Sequence, residues 1–80
     1  MTTKPNPFAI LEAPKEIARA EKATEIAWSY VEASIQSAER ERQRLRMAYV
    51  VVSIAIERAD EPDELAHRAI RRFQERQPRR

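Results

Sequence analysis

Between Pro14 and Asp60 the chain runs for 45 residues without glycine or proline. These are the two residue types that interrupt a helix most strongly. Apolar residues in this stretch recur at alternating steps of three and four, which places their side chains along one side of a helix. The pattern predicts a single long helix over about 14–60, of the kind found in coiled coils.

The middle of this stretch is highly charged, and a charged loop between two shorter helices is the alternative to one continuous helix. Residues 39–44 are Glu, Arg and Gln, which favour helix, and none of them favours a turn. The heptad positions Val31 and Ala38 also continue without a slip into Leu45 and Val52. We therefore expect an unbroken helix, with the two-helix alternative left open.

The length of such a helix has a consequence for assembly. About 45 residues at about 1.5 Å each give about 68 Å, whereas a compact chain of this size has a radius of gyration of about 12 Å. The helix would need another chain to cover its apolar side, so a homodimer or higher oligomer is expected. An antiparallel pairing is favoured, because a parallel one would bring Arg42 against Arg42 and Glu21 against Glu21. The predicted dimer seam comprises Ile17, Trp28, Val31, Ile35, Ala38, Leu45, Tyr49, Val52 and Ile56.

Three segments are expected along the chain: an extended N-terminal arm over 1–13, a helical domain over 14–77 and a basic tail over 78–80. Pro62 follows acidic residues, which is typical of a helix start. An apolar stripe through Leu65 and Phe73 then predicts a short helix over about 62–76 that folds back on the long one. The predicted fold class is all-α: an unequal helical hairpin forming an antiparallel, coiled-coil-like homodimer.

Composition limits the compartment and the class of protein. The chain has no cysteine, so it has no disulfide framework and no thiolate metal site. The apolar run from Met47 to Ile56 is too short to span a bilayer, and the first residues lack the apolar core of a signal peptide. We therefore expect a cytoplasmic protein without membrane contact.

Glu64 and His67 have the Glu-x-x-His spacing by which one helix turn supplies two ligands in ferritin-like di-metal proteins. His67 lies one position away from the apolar stripe, beside Arg68, as on a solvated helix face. We expect no metal and no cofactor, and a di-metal protein is the third alternative for function. The chain has no other histidine that could act as a general base, and it has no cysteine that could act as a nucleophile. We therefore expect no enzymatic activity.

Basic residues are concentrated at the C-terminal end of the chain. Residues 65–80 carry six arginines and one glutamate, whereas residues 1–64 carry nine basic and twelve acidic residues. Arginines at this density can contact phosphates. The main alternative function is therefore non-specific nucleic-acid binding through Arg68, Arg71, Arg72, Arg76, Arg79 and Arg80.

The expected function is protein binding, as a regulator, an inhibitor or an assembly adaptor, because the apolar residues are placed on helix faces that one subunit cannot cover. Its expected partners are a second copy and an unidentified protein. The candidate partner-binding residues are Phe8, Ile10 and Leu11 in the arm, and Tyr30 beside the small residues Ala23 and Ala27.

Residues 30–35, Tyr-Val-Glu-Ala-Ser-Ile, resemble a short stretch in the long C-terminal helix of the TraM family of anti-activators. TraM inhibits a quorum-sensing regulator. The resemblance covers six residues of the 80 and is not extended to family membership. It implies a small all-helical protein that works by binding another protein.

Overall fold

A computed structural model describes residues 6–75, which form three α-helices joined and preceded by short 3-10 helices, without a strand in that range. The α-helices are α1, Pro14–Val31, α2, Arg40–Ala55, and α3, Pro62–Glu75. The 3-10 helices are Pro7–Ile10, Glu32–Ser34 and Ser37–Glu39. The three α-helices pack pairwise against one another.

The predicted continuous helix over 14–60 is wrong, because the chain leaves helical conformation at Ile35 and Gln36. Ile35 has φ −100° and ψ 131°, and Gln36 has φ −61° and ψ 141°. The hydroxyl of Ser34 donates a 2.9 Å hydrogen bond to the Val31 carbonyl, and Nε of Arg40 donates a 3.0 Å bond to the Ile35 carbonyl. These bonds satisfy carbonyls that a helix end leaves without helical partners.

The break lies before the charged segment 39–44, which was the alternative position for a loop. Residues 40–44 are helical, as their propensities predict, and form the first turn of α2. With the break in place, α1 and α2 fold against each other, and the radius of gyration of the Cα atoms is 12.5 Å. The length argument that required a second chain is therefore removed, and the homodimer remains a prediction.

Small residues allow the helices to approach closely. Ala20, Ala23 and Ala27 of α1 and Ala66 and Ala69 of α3 are all completely buried. Larger side chains from α2 and α3 fill the remaining core, and the largest that are fully buried are Phe73, Met47, Leu65 and Val51. The core of one chain is thus closed by its own three helices.

The short C-terminal helix begins at Pro62, as predicted, and is described up to Glu75. Met47, Val50 and Ile54 of α2 are buried in one apolar cluster with the buried side chains of α3. Near the start of α2, the Arg46 guanidinium lies 4.5 Å from the centre of the Phe73 ring, and its Nη2 donates to the Phe73 carbonyl at 3.3 Å. These contacts hold the end of α3 against the start of α2.

Of the extended arm predicted over 1–13, residues 1–5 lie outside the described residues, and residues 7–10 are helical rather than extended. Pro7–Ile10 is a 3-10 helix capped by Asn6, whose Oδ1 accepts a 3.2 Å hydrogen bond from the Phe8 main-chain N–H. Pro7 and Leu11 are buried, and Phe8 is half-buried against the core. Because these three residues pack against the α-helices, the segment is part of the helical unit.

The connection between α2 and α3 is fixed by ion pairs. The carboxylate of Asp60, whose side chain is 12% exposed, accepts from Nε of Arg58 at 2.8 Å and from Nε of Arg68 at 2.9 Å. The hydrogen bond from Arg58, with the charges of Arg58 and Arg68, holds the pKa of Asp60 below its ordinary value. Asp60 thus ties the end of α2 to the second turn of α3.

Candidate protein-binding groove

A groove with a volume of about 840 Å³ opens between the N-terminal 3-10 helix, α1 and the first half of α2. Its apolar part is supplied by the N-terminal 3-10 helix, by the 3-10 turn before α2 and by α2 itself, whereas α1 contributes polar and charged residues. The apolar lining residues are Pro7, Phe8, Ala38, Leu45 and Ala48. We call this surface the groove.

The local structure explains why the floor of the groove is apolar. The Asn6 cap holds the N-terminal turn in place, and this puts Pro7 and Phe8 beside the helices. Thr24 also lines the groove, but its Oγ1 donates a 2.8 Å hydrogen bond to the Ala20 carbonyl one turn earlier. Its hydroxyl is therefore satisfied within α1, so that the polar groups of the groove lie in its rim.

The rim of the groove is charged. Glu21 and Glu25, one turn apart on α1, are both exposed, and they make the α1 side acidic. The α2 side is mixed, with Glu41, Arg42 and Arg44. An apolar floor with a polar, solvated rim is the anatomy of a protein-binding surface.

A second apolar surface runs along α2, next to the groove. Tyr49 and Ile56 are 49% and 56% exposed, and Leu45 is half-buried. With Val52, which is buried in the core, between them, these residues are spaced at three and four and share one side of the helix. We call these four residues the α2 strip.

The structure distributes the predicted dimer seam over several elements. Trp28, Val31 and Val52 are buried in the core of a single chain, and Ile17 and Ile35 are half-buried against it. Because the helix is broken at Ile35, the seam cannot form one continuous side of one helix. Of the other seam residues, Ala38 is exposed and belongs to the apolar lining of the groove. Leu45, Tyr49 and Ile56 are exposed or half-buried in the α2 strip.

The candidate partner-binding residues fall into two groups. Phe8 lines the groove and Leu11 is buried at 8% exposure, whereas Ile10 and Tyr30 are 64% and 77% exposed. The small residues beside Tyr30, Ala23 and Ala27, are completely buried within the chain. They serve close packing of α1, so they are not a free surface for a partner.

The arginines of the predicted nucleic-acid site are partly engaged within the chain. Arg68 pairs with Asp60, and Nη1 of Arg72 donates a 3.3 Å hydrogen bond to Oγ of Ser53. Arg71 is exposed, in the company of the exposed Glu64 and Glu75 on the same helix. Arg76, Arg79 and Arg80 lie outside the described residues. The outer side of α3 therefore carries mixed charge.

Glu64 and His67, the candidate metal ligands, are both exposed on α3. Within residues 6–75, three or more His, Asp or Glu side chains are nowhere grouped in a way that could hold a metal ion. In the same range, none of the helices has the length and apolarity needed to cross a membrane.

Comparisons of the chain with protein-family models, with curated proteins and with solved structures found no match. The six residues that resemble TraM do not lie in the interior of a long helix. They cover the end of α1, the 3-10 helix Glu32–Ser34 and the break at Ile35.

Sequence reasoning identified part of this groove but not the groove itself. Phe8, Ala38 and Leu45 were among its candidates, whereas Glu25, Glu41 and Ala48 were not. The pair Glu21 and Glu25 was the available signal, since two glutamates one turn apart form a charged patch on a helix. That they face Phe8 and Leu45 follows from the folding of α1 against α2, which the sequence pattern did not reveal.

Proposed function

We propose that the protein is a small, non-enzymatic, protein-binding regulator, inhibitor or assembly adaptor, and that its groove takes an amphipathic helix of a partner protein. The observation that carries this proposal is the groove: an apolar floor shared by three elements and rimmed by exposed charges. Docking of an amphipathic helix into an apolar groove is a common mode of peptide recognition.

The dimensions of the groove fit such a segment. Its apolar lining extends from Ala38, in the 3-10 turn before α2, to Ala48 of α2, about 15 Å at about 1.5 Å per residue. A partner helix of about three turns covers this length and presents two or three apolar side chains on one side. These side chains would lie against Phe8, Leu45 and Ala48.

The rim adds a requirement for charge. Glu21 and Glu25 form an acidic edge on α1, and both are exposed. Lysine or arginine on the flank of the partner helix that faces α1 would complement this edge. The fitting partner is thus an amphipathic helix with one basic flank.

The chemistry of the lining supports binding rather than catalysis. The hydroxyl of Thr24 is engaged by the Ala20 carbonyl, and His67 lies exposed on α3, away from the lining residues. A catalytic site would need a positioned base or nucleophile within reach of a substrate in the groove. The described lining residues instead offer hydrophobic contact area and surface charge.

The experiment is a titration of isotopically labelled protein with a designed peptide of about three helical turns. The peptide carries leucines on one side and lysines along one flank, and a second peptide has glutamates in place of the lysines. Binding is measured by NMR. The lysine peptide is expected to shift the amide signals of Thr24, Leu45 and Ala48 and to bind more tightly than the glutamate peptide.

A matched pair of variants sharpens the test. Glu21→Lys with Glu25→Lys reverses the acidic edge, and Glu12→Lys with Glu75→Lys makes the same change in net charge at exposed positions outside the groove lining. The first pair of substitutions is expected to weaken binding of the lysine peptide about tenfold, equivalent to about 1.4 kcal/mol of binding free energy. Equal weakening by both pairs, or shifts located elsewhere, would contradict the proposal.

Nucleic-acid binding through the arginines of α3 stays the alternative prediction. Short duplex DNA replaces the peptide in the same titration. Signal changes confined to α3, with an affinity that falls steeply as salt rises, would favour this alternative.

A further inference from the structure

We propose that a second copy of this chain docks on the α2 strip, with the two α2 helices antiparallel. The strip consists of Leu45, Tyr49, Val52 and Ile56. This inference goes beyond the groove and does not depend on the partner helix proposed for it.

The first support is the pattern of exposure on α2. Single exposed apolar side chains are common on protein surfaces. On α2, however, Tyr49 and Ile56 are about half exposed on the same side of one helix, and the half-buried Leu45 continues the row. From Met47 to Ile56 the helix carries no charged residue. The strip is therefore an uncharged surface about three turns long.

The second support is the distribution of charge along α2. Residues 40–46 contain four arginines and one glutamate. After the helix the exposed charges are acidic at Glu57 and Glu61, whereas the carboxylate of Asp60 is engaged within the chain by Arg58 and Arg68. This order opposes the helix dipole, which favours acidic residues at the N-terminus and basic residues at the C-terminus.

An antiparallel second copy places opposite charges next to each other at the two ends of α2. When Tyr49 of one copy faces Val52 of the other, Glu57 of one copy lies beside Arg44 of the other; both are exposed, and the contact is repeated by symmetry at the other end. A parallel copy would instead place the arginine-rich ends side by side. The charges of two α2 helices are therefore complementary when the helices are antiparallel and not when they are parallel. This supports a second copy of the chain as the partner that covers the α2 strip.

The spacing of the strip fixes the register of the pairing. When Tyr49 of one copy faces Val52 of the other, Leu45 faces Ile56 of the second copy at both ends. Each large side chain then meets an apolar partner, as a and d positions do in antiparallel coiled coils.

The test measures the mass of the native protein over a concentration series, by light scattering and native mass spectrometry. Tyr49→Glu places a charge in the strip, and Tyr30→Glu is the matched control at another exposed tyrosine. The wild type and the control are expected to dimerise alike. Tyr49→Glu is expected to weaken dimerisation at least about thirtyfold, as for a central interface side chain, with an unchanged circular dichroism spectrum.

Crosslinking tests the direction of the pairing, and it is simplified because the chain contains no cysteine. A mixture of Leu45→Cys and Ile56→Cys chains is expected to form a disulfide-linked heterodimer, whereas Leu45→Cys alone does not crosslink. A wild type that stays monomeric throughout, equal dimerisation of the two tyrosine variants, or crosslinking of Leu45→Cys to itself would overturn the inference. The charge reversals Glu21→Lys and Glu25→Lys are expected to leave the dimer intact. A failure of the groove proposal can therefore be distinguished from a failure of this inference.

Discussion

Arg19, in the second turn of α1, donates a 2.6 Å hydrogen bond from Nη1 to the main-chain carbonyl of Asp60, 41 residues further along the chain. Nη2 of the same guanidinium lies 3.4 Å from the carbonyl of Ala55, the last residue of α2, and also contacts the carboxylate of Glu16. The side chain of Arg19 is 14% exposed. One cation therefore satisfies carbonyls at the end of α2 and in the α2–α3 connection, where the helix dipole favours positive charge.

Replacement of Arg19 by methionine is expected to destabilise the fold. It keeps most of the side-chain volume but leaves the carbonyls of Ala55 and Asp60 without their charged donor. A hydrogen bond to a charged group contributes about 1.5–3 kcal/mol, so we expect a loss of about 2 kcal/mol and a melting temperature lower by about 10 °C. Thermal unfolding followed by circular dichroism measures the change. Lys22→Met, at an exposed position on the same helix, is the control, and an equal effect of both variants would contradict the role of Arg19.

Asp60 is expected to make stability depend on pH in the acid range. Because Arg58 and Arg68 hold the pKa of its carboxyl below the ordinary value, the folded state binds this proton less readily than the unfolded state. The stabilisation is fully present above about pH 4, the unfolded pKa, and is lost as the pH falls through the lower folded pKa.

Urea unfolding across this pH range tests the expectation with Asp60→Asn. The wild type should be the more stable protein at neutral pH, and its advantage over Asp60→Asn should shrink as the pH is lowered below about 4. Asp63→Asn, an exposed carboxylate in the first turn of α3, is the control. An advantage that is constant down to low pH would show that Asp60 does not act through its charge.

Close packing of the alanines predicts a strong response to added volume. Ala23 is completely buried, and replacing it by leucine inserts three carbon atoms where α1 lies against the core. Overpacking of this kind costs about 1–3 kcal/mol, which chemical denaturation measures directly. Ala18→Leu, at an exposed position of α1, should be nearly neutral. If both substitutions were tolerated equally, α1 would not pack through its alanines.

Much of the fold could be predicted from local pattern. Pro62 and the acidic residues around it indicated the start of α3, and the apolar stripe through Leu65 and Phe73 indicated the side of α3 that is buried. These features depend on propensities and on spacing within one helix, which sequence reasoning reads directly. The all-helical class followed from the same signals.

The helix break was not predicted, because no glycine, proline, asparagine or aspartate marks it and its serines are only weak turn signals. Residues 32–37 are Glu-Ala-Ser-Ile-Gln-Ser, and the break is stabilised by the Ser34 hydroxyl, by the Arg40 guanidinium and by packing of Ile35 against the core. The last of these is a tertiary contact. The three-and-four spacing of apolar residues is present in both helices, so the same pattern fits a continuous helix and a folded pair. The groove depends on this folding and was missed for the same reason.

The folding of α1 against α2 forms the groove, and a distance between spin labels at Glu21→Cys and Arg44→Cys measures this arrangement within one chain. The labelled chains are diluted with unlabelled protein, so that only distances within one chain contribute. Both positions line the groove, and we predict a separation within about 20 Å, as expected for the surfaces of two helices packed at about 8–10 Å between axes. A separation of about 35 Å, the value for 23 residues of unbroken helix at about 1.5 Å per residue, would contradict the account.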